Sequence, residues 1–183
     1  SDVCKHCRSA ACLEVCPTGS IIRTEFDSVF IQPDVCNGCG MCVAACPFGV
    51  VDRREDDGRA WKCTLCYDRL QDGMEPACAK ACPTDSIIFG DVDELKHVAR
   101  EREARLHRQG VPEARLYGLD ESDQPGTGGL NAFFLLLDSP EVYNLPANPV
   151  TPTKRLGDAW RAFAGAASAL LAVSIGAVVA GRR

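Results

Sequence analysis

Histidine is nearly missing from this sequence, with three among 183 residues, and no nucleophile–base pair, carboxylate dyad or phosphate-binding glycine loop stands out. Without those groups the protein alone is expected to turn over no substrate. A net charge of −5 and the lack of a basic, aromatic-studded surface exclude a nucleic-acid binder. The chain opens Ser1-Asp2-Val3, with neither an initiator methionine nor a signal peptide, and reads as processed or shortened at its N-terminus. Cysteine, by contrast, is plentiful, but none of the twelve lies beyond residue 82.

That confinement separates two uses of cysteine. Disulfides closing such small loops gain little entropy and strain easily, whereas several thiolates converging on metal need that proximity. The twelve form three runs: Cys4-x2-Cys7-x4-Cys12-x3-Cys16-Pro17, Cys36-x2-Cys39-x2-Cys42-x3-Cys46-Pro47 and Cys63-x2-Cys66-x11-Cys78-x3-Cys82-Pro83. The middle run follows the bacterial pattern for a cubane 4Fe-4S cluster, in which three thiolates wrap one cluster and the fourth, before a proline, reaches another. Gly38 and Gly40 let the loop backbone approach the inorganic sulfides. Zinc ribbons also use paired C-x2-C knuckles, so Cys63-x2-Cys66 alone is ambiguous, and a zinc-stabilised membrane adaptor is the alternative of a different class. Three consecutive runs each closed by Cys-Pro are not a zinc arrangement.

Crossed ligation assigns the ligands. Cys36, Cys39 and Cys42 hold one cluster, completed by Cys16; Cys4, Cys7 and Cys12 hold another, completed by Cys46. Two clusters thus close within the chain. Cys63, Cys66 and Cys78 give three corners of a third, and Cys82 belongs to a fourth. Either the third run closes on itself around one cluster, or a further cysteine run lies upstream of Ser1.

Three phrases, "CKHCRSAACLEVCPTGSII", "DVCNGCGMCVAACPFGV" and "KCTLCYDRLQDGMEPACAKACPTDSIIFGD", resemble the four-cluster iron–sulfur subunits of molybdopterin oxidoreductases. Beyond them, "DELKHVAREREARLHRQGV", "ARLYGLD" and "GGLNAFFLLLDSPEVYNLPANP" look like the tail of the membrane-bound formate dehydrogenase beta subunit. The resemblance implies an electron-transfer subunit of anaerobic respiration. It would stand between a molybdenum or tungsten catalytic subunit that oxidises formate and a membrane cytochrome b that serves quinone. An equivalent subunit of a hydrogenase or a sulfur-compound reductase is the near alternative. It also implies an upstream run sharing one cluster with Cys82 and completing the one at Cys63, Cys66 and Cys78, hence up to four clusters in the intact subunit. Nitrate reductase subunits lack cysteine at one cluster position, whereas Cys36, Cys39 and Cys42 are all cysteine here. The resemblance implies assembly in the reducing cytoplasm, export by the twin-arginine route and a cluster domain on the outer face of the cytoplasmic membrane, with the cytoplasm-facing arrangement known in the broader family as the alternative.

The expected fold class is α+β: tandem ferredoxin-like units plus a single C-terminal transmembrane helix. Residues 1–52 read as a unit for two clusters, with "SIIRTEFDSVFIQPDVC" alternating as a hairpin and "EVC" and "VAAC" as short helices. Residues 53–91 read as a half unit with the third run, and 52–60 as a solvated charged turn. Residues 92–150 read as a helix over 93–109, a flexible loop over 118–129, a buried strand with Phe133 and Phe134 in the core, and a Pro-rich connector. His97 and His107 read as polar surface residues. Residues 151–183 form the membrane anchor, because 162–181 carry no charge over the length that spans lipid hydrocarbon. Lys154, Arg155 and Arg161 precede it and Arg182 and Arg183 follow, so charge does not orient it.

Overall fold

The computed structural model describes residues 3–180. The chain divides into two compact units, Ser1–Thr151 and Pro152–Arg183, so the three segments expected over residues 1–150 share one unit. Regular structure in the first unit is short, as expected of a chain whose cysteines bind in loops. Helices α1 (Ala11–Glu14) and α2 (Met41–Ala45) each end a cysteine loop and pack on one another. Between them the alternating stretch forms the expected hairpin, β1 (Ile21–Arg23) antiparallel to β2 (Val29–Ile31), with Ile21 opposite Ile31. That alternation turns Ile21, Val29 and Ile31 into a core with Ala10, Cys12, Cys42, Val51 and Ala60 and leaves Ile22 outside.

The charged segment 52–60 is the tip of a second ladder rather than a free turn. Strands β3 (Asp52–Arg53) and β4 (Ala60–Trp61) pair antiparallel, and the Arg54 guanidinium lies 4.4 Å from the Trp61 ring centroid. Two short helices follow in the third cysteine run, α3 (Tyr67–Gln71) and α4 (Ala77–Lys80). Helix α5 (Val92–Arg108) matches the expected span. The Asp91 side chain caps it by accepting from the amides of Asp93 and Glu94 at 2.9 and 3.2 Å, and the chain leaves it at Gly110 with φ +87°. His97 sits on its exposed face, 3.6 Å from Glu101, and His107 bonds the Ala114 carbonyl at 2.7 Å.

Strand β5 (Arg115–Tyr117) pairs with β6 (Phe134–Leu136), the expected strand. Phe134 packs against Tyr117, Leu130, Leu136 and Leu145, in the core as anticipated. The intervening loop is not the flexible segment its Gly, Ser and Pro content suggests. The Asp120 carboxylate accepts from Ser122 and Asp123, and that of Asp123 accepts from the amides of Gly118 and Leu119. Its far end lies along residues 5–9: Arg8 and Ser9 donate to the carbonyls of Gly129 and Thr127, and Asn131 and Ala132 donate to those of His6 and Lys5. Thr127 and Leu130 are fully buried as a result. The Pro-rich connector is pinned likewise, by Tyr117 Oη to the Pro146 carbonyl at 2.6 Å and Thr151 Oγ1 to that of Ser9 at 2.7 Å.

In the second unit, helix α6 (Leu156–Ala180) is continuous over 25 residues. It starts before the expected span and takes in Asp158 and Arg161, 3.6 Å apart, and much of it is Ala, Gly and Ser. Among the described residues no helix is long and apolar enough to cross a membrane, so the fold does not establish the expected transmembrane anchor. Gly181, Arg182 and Arg183, which the sequence reading placed at its end, lie outside the described residues.

Because Leu130 closes the core beneath residues 5–9, Leu130→Ala should cost about 2–5 kcal/mol. Denaturant unfolding of the anaerobically prepared chain measures this; a loss below about 1 kcal/mol would show that the loop is peripheral.

Candidate metal centre

The three cysteine runs repeat one backbone device. The third residue of each C-x-x-C loop is left-handed, at His6 (φ +45°), Gly38 (φ +73°) and Leu65 (φ +59°). So is the third residue after each closing cysteine, at Gly19 (φ +66°), Gly49 (φ +62°) and Asp85 (φ +51°). A left-handed residue reverses the chain within one step, which turns consecutive thiols toward a common side. At Gly38 a Cβ would also stand 2.8 Å from the Gly58 carbonyl oxygen, so the residue there must be glycine for space as well as for φ.

The cysteines of the three runs lie near one another: Cys46 bears on Cys4, Cys7 and Cys12, and Cys16, Cys36 and Cys39 bear on Cys42, while Cys42 also bears on Cys12 and Cys63 on Cys4. Cys12 and Cys42 are buried in the first core, with Cys7, Cys16, Cys36 and Cys46 packed on it, and Cys39 faces solvent. In the third run, Cys63 and Cys78 line a cavity of about 310 Å³ together with Cys4, Leu65, Ile87 and Phe133. The amide of Ala77, beside Cys78, donates to Cys66 Sγ at 3.5 Å, which ties the two halves of that run. Cys82 stands apart: the largest influences on its thiol are the Ile87 amide and the Thr84 hydroxyl, not another cysteine.

The donor set suits anionic sulfur. None of the twelve cysteines is in a disulfide. Backbone amides of His6, Ala60 and Leu65 donate to the sulfurs of Cys4, Cys36 and Cys63, each at 3.4 Å, the hydrogen bonds that tune iron–sulfur sites. Burial pushes the Cys4, Cys7, Cys12 and Cys42 thiols up, Cys12 to about 12, and the neighbouring cysteines add to the rise. Crowded thiols of this kind become thiolates only around a bound cation, which lowers their pKa outright.

Several contributors escaped the sequence reading. Burial pushes the Cys16 thiol up, yet the Ser20 and Thr18 hydroxyls, 3.2 and 3.6 Å from its sulfur, hold it down at about 7. Thr84 stands 3.6 Å from Cys82 Sγ in the same way, and the Cys82 thiol lies at about 7. The repeated Cys-Pro-Thr-x-Ser phrase carried that signal. Buried basic residues carried none: Lys5, His6 and Lys62 are each at most 4% exposed. His6 accepts the Val29 amide at Nδ1, and burial, with help from Lys62 and Arg23, holds it neutral down to about pH 3.

Residues 1–92 match the protein family described as 4Fe-4S dicluster domain. The formate dehydrogenase iron-sulfur subunit of Haemophilus influenzae is 45% identical over 152 residues, which cover 81% of this chain and 47% of that protein. The formate dehydrogenase-O iron-sulfur subunit of Escherichia coli is 43% identical over 152 residues, 81% of this chain and 49% of that protein. A subunit of the anaerobic dimethyl sulfoxide reductase of Escherichia coli is 42% identical over 93 residues, 51% of this chain and 45% of that one. The chain spans about half the length of these curated relatives.

In the metal-free chain, the thiolate alone alkylates, so Cys82 should react with iodoacetamide through a rise centred near pH 7. Thr84→Val removes a hydrogen bond to the thiolate, raises the pKa, and moves that rise to higher pH. An unmoved pH profile, read by peptide mass mapping, would show that the hydroxyl does not act on the sulfur.

Proposed function

The protein belongs to the 4Fe-4S dicluster domain family, with 4Fe-4S clusters as its cofactors, and from that premise we propose that it is the electron-transfer subunit of a formate dehydrogenase. When bound, such clusters supply one-electron transfer. The ligand sets follow the crossing: Cys4, Cys7, Cys12 and Cys46 for one cluster, Cys36, Cys39, Cys42 and Cys16 for a second. Cys63, Cys66 and Cys78 contribute three ligands to a third, and Cys82 one to a fourth. The protein's own part is to bury six of the first eight thiols in or against one core, aim amides and hydroxyls at the sulfurs, and keep the hairpin β1–β2 packed between the two loops.

One observation carries the formate reading. Similarity to the two formate dehydrogenase subunits runs 152 residues, past the cysteines into the region of β5 and β6, against 93 residues for the sulfoxide reductase subunit. An equivalent role in a sulfur-compound reductase is the second reading, supported by the shorter match. The proposed partners are a molybdopterin catalytic subunit and a membrane cytochrome b leading to quinone. Contact with lipid is supported by α6, where Phe163, Leu170, Leu171, Val173 and Ile175 are 62–70% exposed and residues 162–180 carry no charge. The cluster unit is proposed to face the outer side of the cytoplasmic membrane.

The anaerobically purified chain should be brown and hold about eight irons for two clusters, or about twelve if the third run closes on itself, at about four per cubane. Cys46→Ser should remove the same cluster signal as Cys4→Ser, and Cys16→Ser the same as Cys36→Ser. A colourless chain holding zinc would defeat the proposal, and loss of one shared signal by Cys46→Ser and Cys36→Ser would defeat the crossing. For the membrane, the full chain should resist alkaline carbonate extraction, and quantitative release into the supernatant would remove α6 as an anchor.

A further inference from the structure

Lys62 is 4% exposed, and its ammonium donates to the backbone carbonyls of Val29 and, at 3.1 Å, Cys63. No carboxylate is among these partners, although a buried cation is strongly disfavoured unless an anion faces it. Val29, whose carbonyl Lys62 holds, donates its amide to His6 Nδ1, and the His6 amide donates to Cys4 Sγ, so the ammonium stands at the loop that carries Cys4 and Cys7. There its charge opposes the effect of burial on Cys4 and Cys12. Cys42, in the other ligand set, has only cysteines and a backbone amide as its leading influences beside burial, with no cation. Lys5 is enclosed beside Cys4 as well, but its ammonium donates to the Val3 carbonyl and lies over the Phe134 ring.

We propose that Lys62 is the counter-cation of the cluster ligated by Cys4, Cys7, Cys12 and Cys46, and that its charge makes that cluster easier to reduce. The inference rests on the 4Fe-4S electron-carrier reading above. Reduction adds one electron and no proton, so the reduced site carries one more negative charge than the oxidised one. A fixed cation in a low-dielectric interior stabilises the more negative state. Lys62 also holds β2 to the third cysteine run through its two carbonyl bonds, so the charge is kept at a set position between the Val29 and Cys63 carbonyls rather than on a mobile stem.

The test is a dithionite titration of the full chain, loaded anaerobically, with each cluster followed by electron paramagnetic resonance. Lys62→Gln keeps donors for the two carbonyls and removes the charge; Lys62→Arg keeps the charge. At the wild-type midpoint of one cluster, Lys62→Gln should lower the reduced-to-oxidised ratio about tenfold, about 59 mV for a one-electron couple. The second cluster should be unmoved, and Lys62→Arg should stay within about twofold of wild type. Unchanged midpoints in a fully loaded Lys62→Gln chain overturn the proposal. An equal shift in the Gln and Arg variants also overturns it, because that reports packing and not charge. Should Lys62→Gln fail to load, loss of about four irons in both it and Lys62→Met with full loading of Lys62→Arg supports the charge, and loss in all three overturns it. Failure of the underlying reading is visible separately, as a wild-type chain with no signal on reduction.

Discussion

Thiolates cannot crowd into one small core unless positive charge sits among them, and this constraint organises the molecule. Without it, burial and mutual repulsion keep Cys4, Cys7, Cys12 and Cys42 protonated. The fold answers with backbone geometry first. Left-handed residues at matching places in each loop swing the sulfurs together, and amides of His6, Ala60 and Leu65 then point at them. Secondary structure is kept to strands of two or three residues and, around the cysteines, helices of four or five, because the segments that matter must be loops. Ordinary apolar burial is correspondingly small, so the cysteines themselves are a large part of the first core.

Such a core is held closed from outside by later sequence. Residues 127–132 lie along residues 5–9 through four backbone hydrogen bonds, with Leu130 wholly enclosed behind them. Arg23 adds a side-chain clamp, donating to the carbonyls of Cys7 and Arg8 at 2.8 and 2.9 Å. The cysteine loops thus depend on sequence well beyond residue 92 for shielding from water, which raises the strength of every charge interaction inside.

What could be read from the sequence was whatever depends on spacing along the chain. The hairpin between the first two cysteine runs and the helix over 93–109 are local grammar, and the structure forms both where periodicity put them. What escaped depends on contacts between distant residues. The loop 118–129 has the composition of a flexible segment, yet its carboxylates fold back on their own amides and its end pairs with residues more than a hundred positions earlier. Nothing in the sequence marks Lys62, which the packing of β2 encloses. Helix α6 was foreseen as a helix, but its Ala- and Gly-rich composition and its start at Leu156 keep its membrane role in the realm of proposal.

The twin phrases Cys-Pro-Thr-Gly-Ser-Ile-Ile and Cys-Pro-Thr-Asp-Ser-Ile-Ile show how far local sequence reaches before context takes over. Up to the turn the copies agree: Gly19 and Asp85 are both left-handed, Thr18 and Thr84 stand equally far from their cysteine sulfurs, and both thiols lie at about 7. Past the turn they part. Ile21 and Ile22 enter β1 because β2 supplies a partner ten residues on. Ile87 and Ile88 form no strand among the described residues, stay 50% and 38% exposed, and line the cavity beside Cys63 and Cys78. Cap, turn and thiol chemistry are set by a few adjacent atoms and so repeat with the words. A strand is a property of two segments, and its propensity is expressed only where the second one is present.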